Sequence, residues 1–224
     1  MEDVLRQAPL LAGLSDEDWA ALSGRLRRVT VSRGDVVFHE GDPGDSLYVV
    51  TGGKLKITLG SSDGRENLLA VLGSGELLGE LSLFDALPRT ATATALTDST
   101  LASLAAPAFH EFLDERPKVA TILLKVLAGR LRDTNAAMAD LIFTDVPGRV
   151  AKALLSFADR FGAPTDEGPH VTHDLTQEEL AQLVGASRET VNKALSDFAA
   201  RGWLRLDGKS VVLLEPERLA QRSR

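Results

Sequence analysis

From residue 116 to residue 143, past the proline at its start, the only turn residue is Gly129 and the apolar side chains keep a helical rhythm. Leu127, Leu131, Thr134, Met138 and Leu141 step by four, three, four and three, a heptad seam with one polar break at Thr134. A helix over this stretch spans about 40 Å, more than a small β-domain needs to cover one face. The seam reads as a parallel dimerisation helix, with a long capping helix as the alternative. Asp145-Val146-Pro147-Gly148 is expected to end it, because proline disfavours helix in the residue before it and glycine permits a sharp turn.

Upstream the texture is different. From about Val29 to Leu104 short apolar runs alternate with turns, among them Asp35-Val36-Val37-Phe38, Ser46-Leu47-Tyr48-Val49-Val50 and Lys54-Leu55-Lys56-Ile57-Thr58-Leu59. Glu40-Gly41-Asp42-Pro43-Gly44, Thr51-Gly52-Gly53 and Ser61-Ser62-Asp63-Gly64 separate them. Many short strands at close spacing predict a β-sandwich or barrel. A helix over residues 16–26, capped by Ser15, precedes the block. Downstream, a helix over 149–161 and a Gly/Pro-rich loop over 162–169 lead to a second helical pattern.

That pattern carries the most specific signal. Thr176 and Glu179 are spaced as a capping box, each able to satisfy the other's backbone amide. Leu180 and Leu183 face inward, Gly185 supplies a tight turn, and Ser187 caps a second helix buried through Val191, Ala194, Leu195 and Phe198. The outward side carries Arg188, Glu189, Thr190, Asn192 and Lys193, side chains suited to base edges and phosphates. Residues 202–213, with Asp207-Gly208 between two apolar runs, predict a hairpin that serves as a wing. The expected DNA contacts are Thr176, Gln177, Ser187, Arg188, Glu189, Thr190, Asn192 and Lys193, with Lys209 on the wing. A helical hairpin that only packs is the plainer alternative.

A net charge of −7 does not oppose this reading, since residues 1–144 carry −6 and residues 145–224 only −1. The absence of cysteine rules out disulfides and thiolate-held metals or clusters, and the four histidines lack metal-ligand spacing. No metal site and no catalytic site are expected. With no long apolar run and no basic, apolar leader after Met1-Glu2-Asp3, a cytoplasmic chain without membrane association is expected.

A second site is marked by Gly79-Glu80-Leu81-Ser82 and, soon after, Arg89-Thr90. Glycine lets backbone approach an anion, and amides opening a short helical turn, at Leu81 and Ser82, can hold phosphate oxygens. Glu80 can accept from a ribose hydroxyl and Arg89 can pair with a phosphate. An ordinary turn with a surface Glu–Arg pair is the alternative.

Residues 175–195 resemble the helix-turn-helix of the cAMP receptor protein / fumarate–nitrate regulator family of bacterial transcription factors. The β-block, long helix and wing follow that family's order over nearly the whole chain, closest to its cAMP receptor protein branch and actinobacterial in type. The resemblance implies an α+β fold: a jelly-roll-like double-stranded β-helix that binds cyclic nucleotide (residues 1–115), a dimerisation helix (116–144) and a winged helix-turn-helix (145–224). It implies an allosteric homodimer that binds cAMP, with cGMP second, and reads a TGTGA-like inverted repeat in double-stranded DNA, with RNA polymerase as partner. Glu80 would then bind the ribose 2′-hydroxyl, and Arg89 with Thr90 the cyclic phosphate. Thr134 and Asn135 would meet the adenine, one from each subunit, unless they only set the register of the seam. Arg188, Glu189 and Lys193 would read bases. Lys193 stands where the best-known member has Arg, and Asn135 where it has Ser. Thr90 leaves room for cGMP. Sensing of haem, an iron–sulfur cluster or redox state is the rival, opposed by the lack of cysteine together with the Glu80/Arg89 pair.

Overall fold

A computed structural model describes residues 2–8, 11–60 and 66–223, so the turn expected at 61–64 lies outside the described residues. The chain packs as two compact units, Met1–Arg132 and Asp133–Arg224.

In the first unit, α1 (Glu2–Gln7) and α2 (Asp16–Ser23) lead into β1 (Arg27–Val31), β2 (Val36–Phe38), β3 (Ser46–Gly52), β4 (Leu55–Gly60), β5 (Glu66–Leu72) and β6 (Leu77–Leu78). Then come α3 (Leu81–Asp85), β7 (Thr92–Ala95), β8 (Ser99–Ala105), α4 (Ala106–Glu115) and α5 (Pro117–Phe143). The strands form two antiparallel sheets, ordered β1-β8-β3-β6 and β2-β7-β4-β5. Val50, Leu78 and Leu101 from one sheet meet Leu55, Ala93 and Ala95 from the other in a core sealed from solvent. On the opposite face of the first sheet, Leu47, Val49 and Leu104 pack with Trp19 of α2, Phe109 and Phe112 of α4 and Leu123 of α5. Strand β3 is therefore covered on both faces, which is why its run Leu47-Tyr48-Val49-Val50 shows little polar alternation. The two-sheet β-roll is the expected fold.

Some boundaries differ from expectation. Ser15 does cap α2, its hydroxyl accepting from the Asp18 N–H at 3.2 Å. The helix stops at Ser23, however, because Gly24 ends it and the chain needs residues 27–31 for β1. Helix α4 was not anticipated. It opens with Pro107 in its first turn, where a missing N–H costs nothing. Helix α5 runs 27 residues and belongs to both units. Its seam stays open in the single chain: Leu131 is 63%, Met138 59% and Leu141 56% exposed.

The second unit continues with α6 (Val146–Phe161), β9 (Gly162–Ala163), β10 (His170–Thr172), α7 (Gln177–Leu183), α8 (Arg188–Ala200), β11 (Leu204–Asp207), β12 (Ser210–Leu213) and α9 (Pro216–Arg222). The sheet order is β11-β12-β10-β9, so part of the expected 162–169 loop is a short strand. The Asp-Val-Pro-Gly segment, expected only as a stop, opens α6 three residues early. The Asp145 carboxylate accepts the Gly148 N–H at 3.0 Å and Pro147 lies in the first turn. Helix α9, also unanticipated, buries Leu219 and pairs Arg222 with Asp145 at 2.5 Å. Among the described residues no helix is long and apolar enough to cross a membrane.

Candidate functional site

The first unit gathers Gly79, Glu80, Leu81, Ser82, Arg89 and Thr90 around the short helix α3. Strand β6 delivers Gly79, whose φ of +80° turns the chain so that α3 can start. A Cβ on Gly79 would lie 2.6 Å from Arg89 Nη1, so the missing side chain makes room for the guanidinium. Ser82 is buried, while Leu81 and Thr90 are exposed.

Two opposite charges are buried here. Glu80 is 2% and Arg89 3% exposed, which is costly for either charge unless it is paired or hydrogen-bonded. They are not paired with each other. Arg89 Nη1 donates to the Gly79 carbonyl at 2.7 Å, and Nη2 donates to the Ser46 carbonyl at 2.6 Å and to the Asp45 carboxylate at 3.3 Å. Its guanidinium carbon sits 4.4 Å over the Phe38 ring, and its Nε is sealed from solvent without a partner. Arg130 of α5 pairs with Glu80 Oε1 at 2.5 Å and also donates to the Leu77 carbonyl. The sequence reading missed Arg130 and Asp45. Each lies more than forty residues from its partner, where no local spacing signal exists.

Thr134 and Asn135 belong to the second unit, both exposed on α5.

In the second unit the helix-turn-helix is formed by local rules. The Thr176 hydroxyl accepts the Glu179 N–H at 3.1 Å, and the Thr176 N–H donates to Glu179 Oε2 at 2.8 Å, completing the capping box. Gly185 holds φ +62° in the turn. The Ser187 hydroxyl accepts the Thr190 N–H at 3.2 Å and starts α8. Val191, Ala194, Leu195 and Phe198 are buried as expected. Thr176, Gln177, Ser187, Arg188, Glu189, Thr190 and Lys193 are exposed. Asn192 departs from the expected outward face. It is half-buried with its Oδ1 sealed and unpartnered, because three residues before Leu195 it borders the packed stripe. The Glu189 carboxyl is held below the ordinary range by its own backbone N–H, and then by the Ser187 hydroxyl. It is therefore an anionic acceptor at neutral pH. In the wing, Asp207 pairs with Ser210, so the two-residue loop is Gly208-Lys209 rather than Asp207-Gly208. Lys209 stands at the tip, and its carbonyl accepts from the His173 and Asp174 N–H groups.

Two further residues brace the helix-turn-helix. Arg149 donates to the carbonyls of Thr144 at 2.6 Å, Val184 at 2.7 Å and Gly185 at 3.1 Å, tying the start of α6 to the turn. The buried His173 accepts the Leu175 N–H on Nδ1 at 3.1 Å, which fixes the entry to α7. Only a helix-capping or basic-residue scan could have hinted at Arg149, and it would not have named its targets. Among the described residues no group of three or more metal-ligating side chains is assembled.

The family model "cyclic nucleotide-binding domain" matches residues 28–116, and "Crp-like helix-turn-helix domain" matches residues 148–222. The chain is 54% identical over 224 residues, all of both chains, to a CRP-like cAMP-activated global transcriptional regulator of Mycobacterium tuberculosis. It is 35% identical over 211 residues, 94% of each chain, to the cyclic AMP receptor protein of Thermus thermophilus. Among solved structures it resembles the c-di-GMP-responsive global regulator CLP of Xanthomonas campestris. The TM-score is 0.75 at 28% identity, covering 89% of this chain and 99% of that one.

Proposed function

The chain belongs to the cAMP receptor protein / fumarate–nitrate regulator family of transcription regulators, and from that premise we propose a cAMP-responsive homodimer that reads a TGTGA-like inverted repeat. It is a DNA-binding regulator with a cyclic-nucleotide domain, not an enzyme. The observation that carries the ligand reading is the buried pair of opposite charges, Glu80 and Arg89, on a glycine-opened turn. A cyclic nucleotide fits that donor set. Its phosphodiester needs buried cationic N–H donors, and Arg89 has one, Nε, left unspent. Its ribose hydroxyl needs a buried acceptor, which Glu80 is.

Arg89 and Thr90 hold the cyclic phosphate and Glu80 the 2′-hydroxyl. Gly79, Leu81 and Ser82 shape the backbone cradle, and Thr134 and Asn135 meet the base. cAMP is the preferred effector and cGMP the second. The open seam at Leu131, Met138 and Leu141 supports pairing of two α5 helices, since large apolar side chains in register gain by mutual burial. Ligand bound at the β-roll biases a two-state element that sets the two recognition helices about 34 Å apart, one DNA turn. Arg188 and Glu189 read bases directly. Lys193 contacts a base or a phosphate with less directional force than the planar Arg fork would give. Thr176, Gln177, Ser187, Thr190 and Lys209 contact the backbone, with Asn192 at the edge of the interface. RNA polymerase is the protein partner, and the site of action is the cytoplasm.

Titrating cAMP and cGMP against a palindromic TGTGA duplex at fixed salt tests the whole reading. Tighter DNA binding with cAMP, and not with a scrambled duplex, is expected. Equal affinity for the two duplexes would refute the assigned sequence preference, and an affinity that neither nucleotide changes would refute the effector assignment.

A further inference from the structure

We propose that Asp45 is a built-in competitor for the phosphate of the effector, a carboxylate that occupies Arg89 until the nucleotide displaces it. The inference rests on the reading of Glu80 and Arg89 as the nucleotide site.

The backbone around Asp45 is held firmly. Its carbonyl accepts the Ala106 N–H at 2.8 Å. Immediately before it, Gly44 lies so close to α3 that a Cβ would come 2.2 Å from Ser82 Cβ. The side chain, in contrast, is 78% exposed while the guanidinium it touches is 2% exposed. A fixed backbone with a solvated carboxylate is an arrangement that can release its partner by rotamer change alone. The contact is also the longest of the three made by Arg89, at 3.3 Å against 2.7 and 2.6 Å to the two carbonyls. Those carbonyls orient the guanidinium. Asp45 adds charge rather than position.

The sign of the effect follows from charge. A phosphodiester arriving at Arg89 either breaks the Asp45 pair or leaves two anions beside one cation. Both cost binding free energy, and the apparent affinity falls by the fraction of molecules in which Arg89 is unavailable. Neutralising Asp45 therefore tightens binding. For a pair with one solvated partner the gain is about two- to fivefold. If Asp45 instead positioned Arg89 for the phosphate, its removal would weaken binding.

The test is calorimetric titration of cAMP into the full-length protein and its Asp45→Asn and Asp45→Ser variants, with adenosine as an uncharged probe in competition. Both variants are expected to bind cAMP about two- to fivefold more tightly than wild type while adenosine affinity stays unchanged. Equal or weaker cAMP binding by Asp45→Asn overturns the proposal, as does a parallel change for adenosine, which would mean a structural effect. Wild-type protein that binds no cAMP would overturn the site reading itself, and the competitor role with it.

Discussion

Gly79→Ala puts the packing of the β-roll turn to a quantitative test. Two separate costs arise. At φ +80° an alanine pays about 1–2 kcal/mol for left-handed backbone. The new Cβ would also stand 2.6 Å from Arg89 Nη1, so that group must leave the Gly79 carbonyl it donates to, a charged hydrogen bond of about 1.5–3 kcal/mol. Reduced freedom of the unfolded chain returns about 0.4–1 kcal/mol. The net loss is roughly 2–4 kcal/mol. Gly34 supplies the control, with φ +91° and nothing within 4 Å of a Cβ. There the same substitution costs only the backbone difference, roughly 0–1.5 kcal/mol. Urea unfolding followed through Trp19, buried in the first unit, reports the transition concerned. Gly79→Ala should unfold at clearly lower urea than Gly34→Ala and should lose cAMP binding, which Gly34→Ala retains. Equal midpoints for the two variants, with nucleotide binding intact, would refute the close approach of Arg89 as the reason for glycine at 79.

Further outcomes follow from other parts of the molecule. Replacing Leu131 and Met138 together by Glu should convert a dimer to monomer by light scattering, since both side chains lie open on the seam; an unchanged mass would exclude the seam as the interface. Glu189→Ala should relax preference at one base pair by about 1–3 kcal/mol in a binding-site selection, whereas an unaltered motif would contradict the assigned reading face. Arg222, and then the Gly148 N–H, hold the Asp145 carboxyl below its ordinary value, so its contribution is complete above the unfolded pKa of about 3.9 and is lost as pH falls through the lower folded value. Asp145→Ala should cost about 1 kcal/mol of second-unit stability at neutral pH, while Asp145→Asn keeps the cap and flattens the acid limb of the melting profile.

The reading head was the most legible part of the molecule, because its signals act over three or four residues. The Thr176–Glu179 box, the Gly185 turn and the Ser187 cap are all visible as local spacing and all form as read. Asn192 shows the limit of that method. A helical wheel places it outward, but its position three residues before Leu195 puts it at the edge of the buried stripe, and only packing decides how far that burial reaches. The same applies to Asp145-Val146-Pro147-Gly148. Proline and glycine there announce a boundary, yet the same residues suit the first turn of a new helix, and the cap at Asp145 makes them one.

From the sequence alone came the order of parts: a β-roll, a long helix with a heptad seam and a winged helix-turn-helix, together with the identity of the two charges at 80 and 89. The strand block, the long helix and the helix-turn-helix rest on periodicity, caps and turns, which a chain carries in its immediate neighbourhood, whereas the β-roll and the roles of Glu80 and Arg89 came with the family resemblance. What surrounds the two charges was decided only by the tertiary fold. Asp45 and Ser46 reach Arg89 because β3 enters the sheet beside β6, and Arg130 reaches Glu80 because the first half of α5 packs into the core of the first unit through Val119 and Leu123. A buried charge must find partners wherever the fold supplies them, and those partners lie tens of residues away with no pattern linking them in sequence.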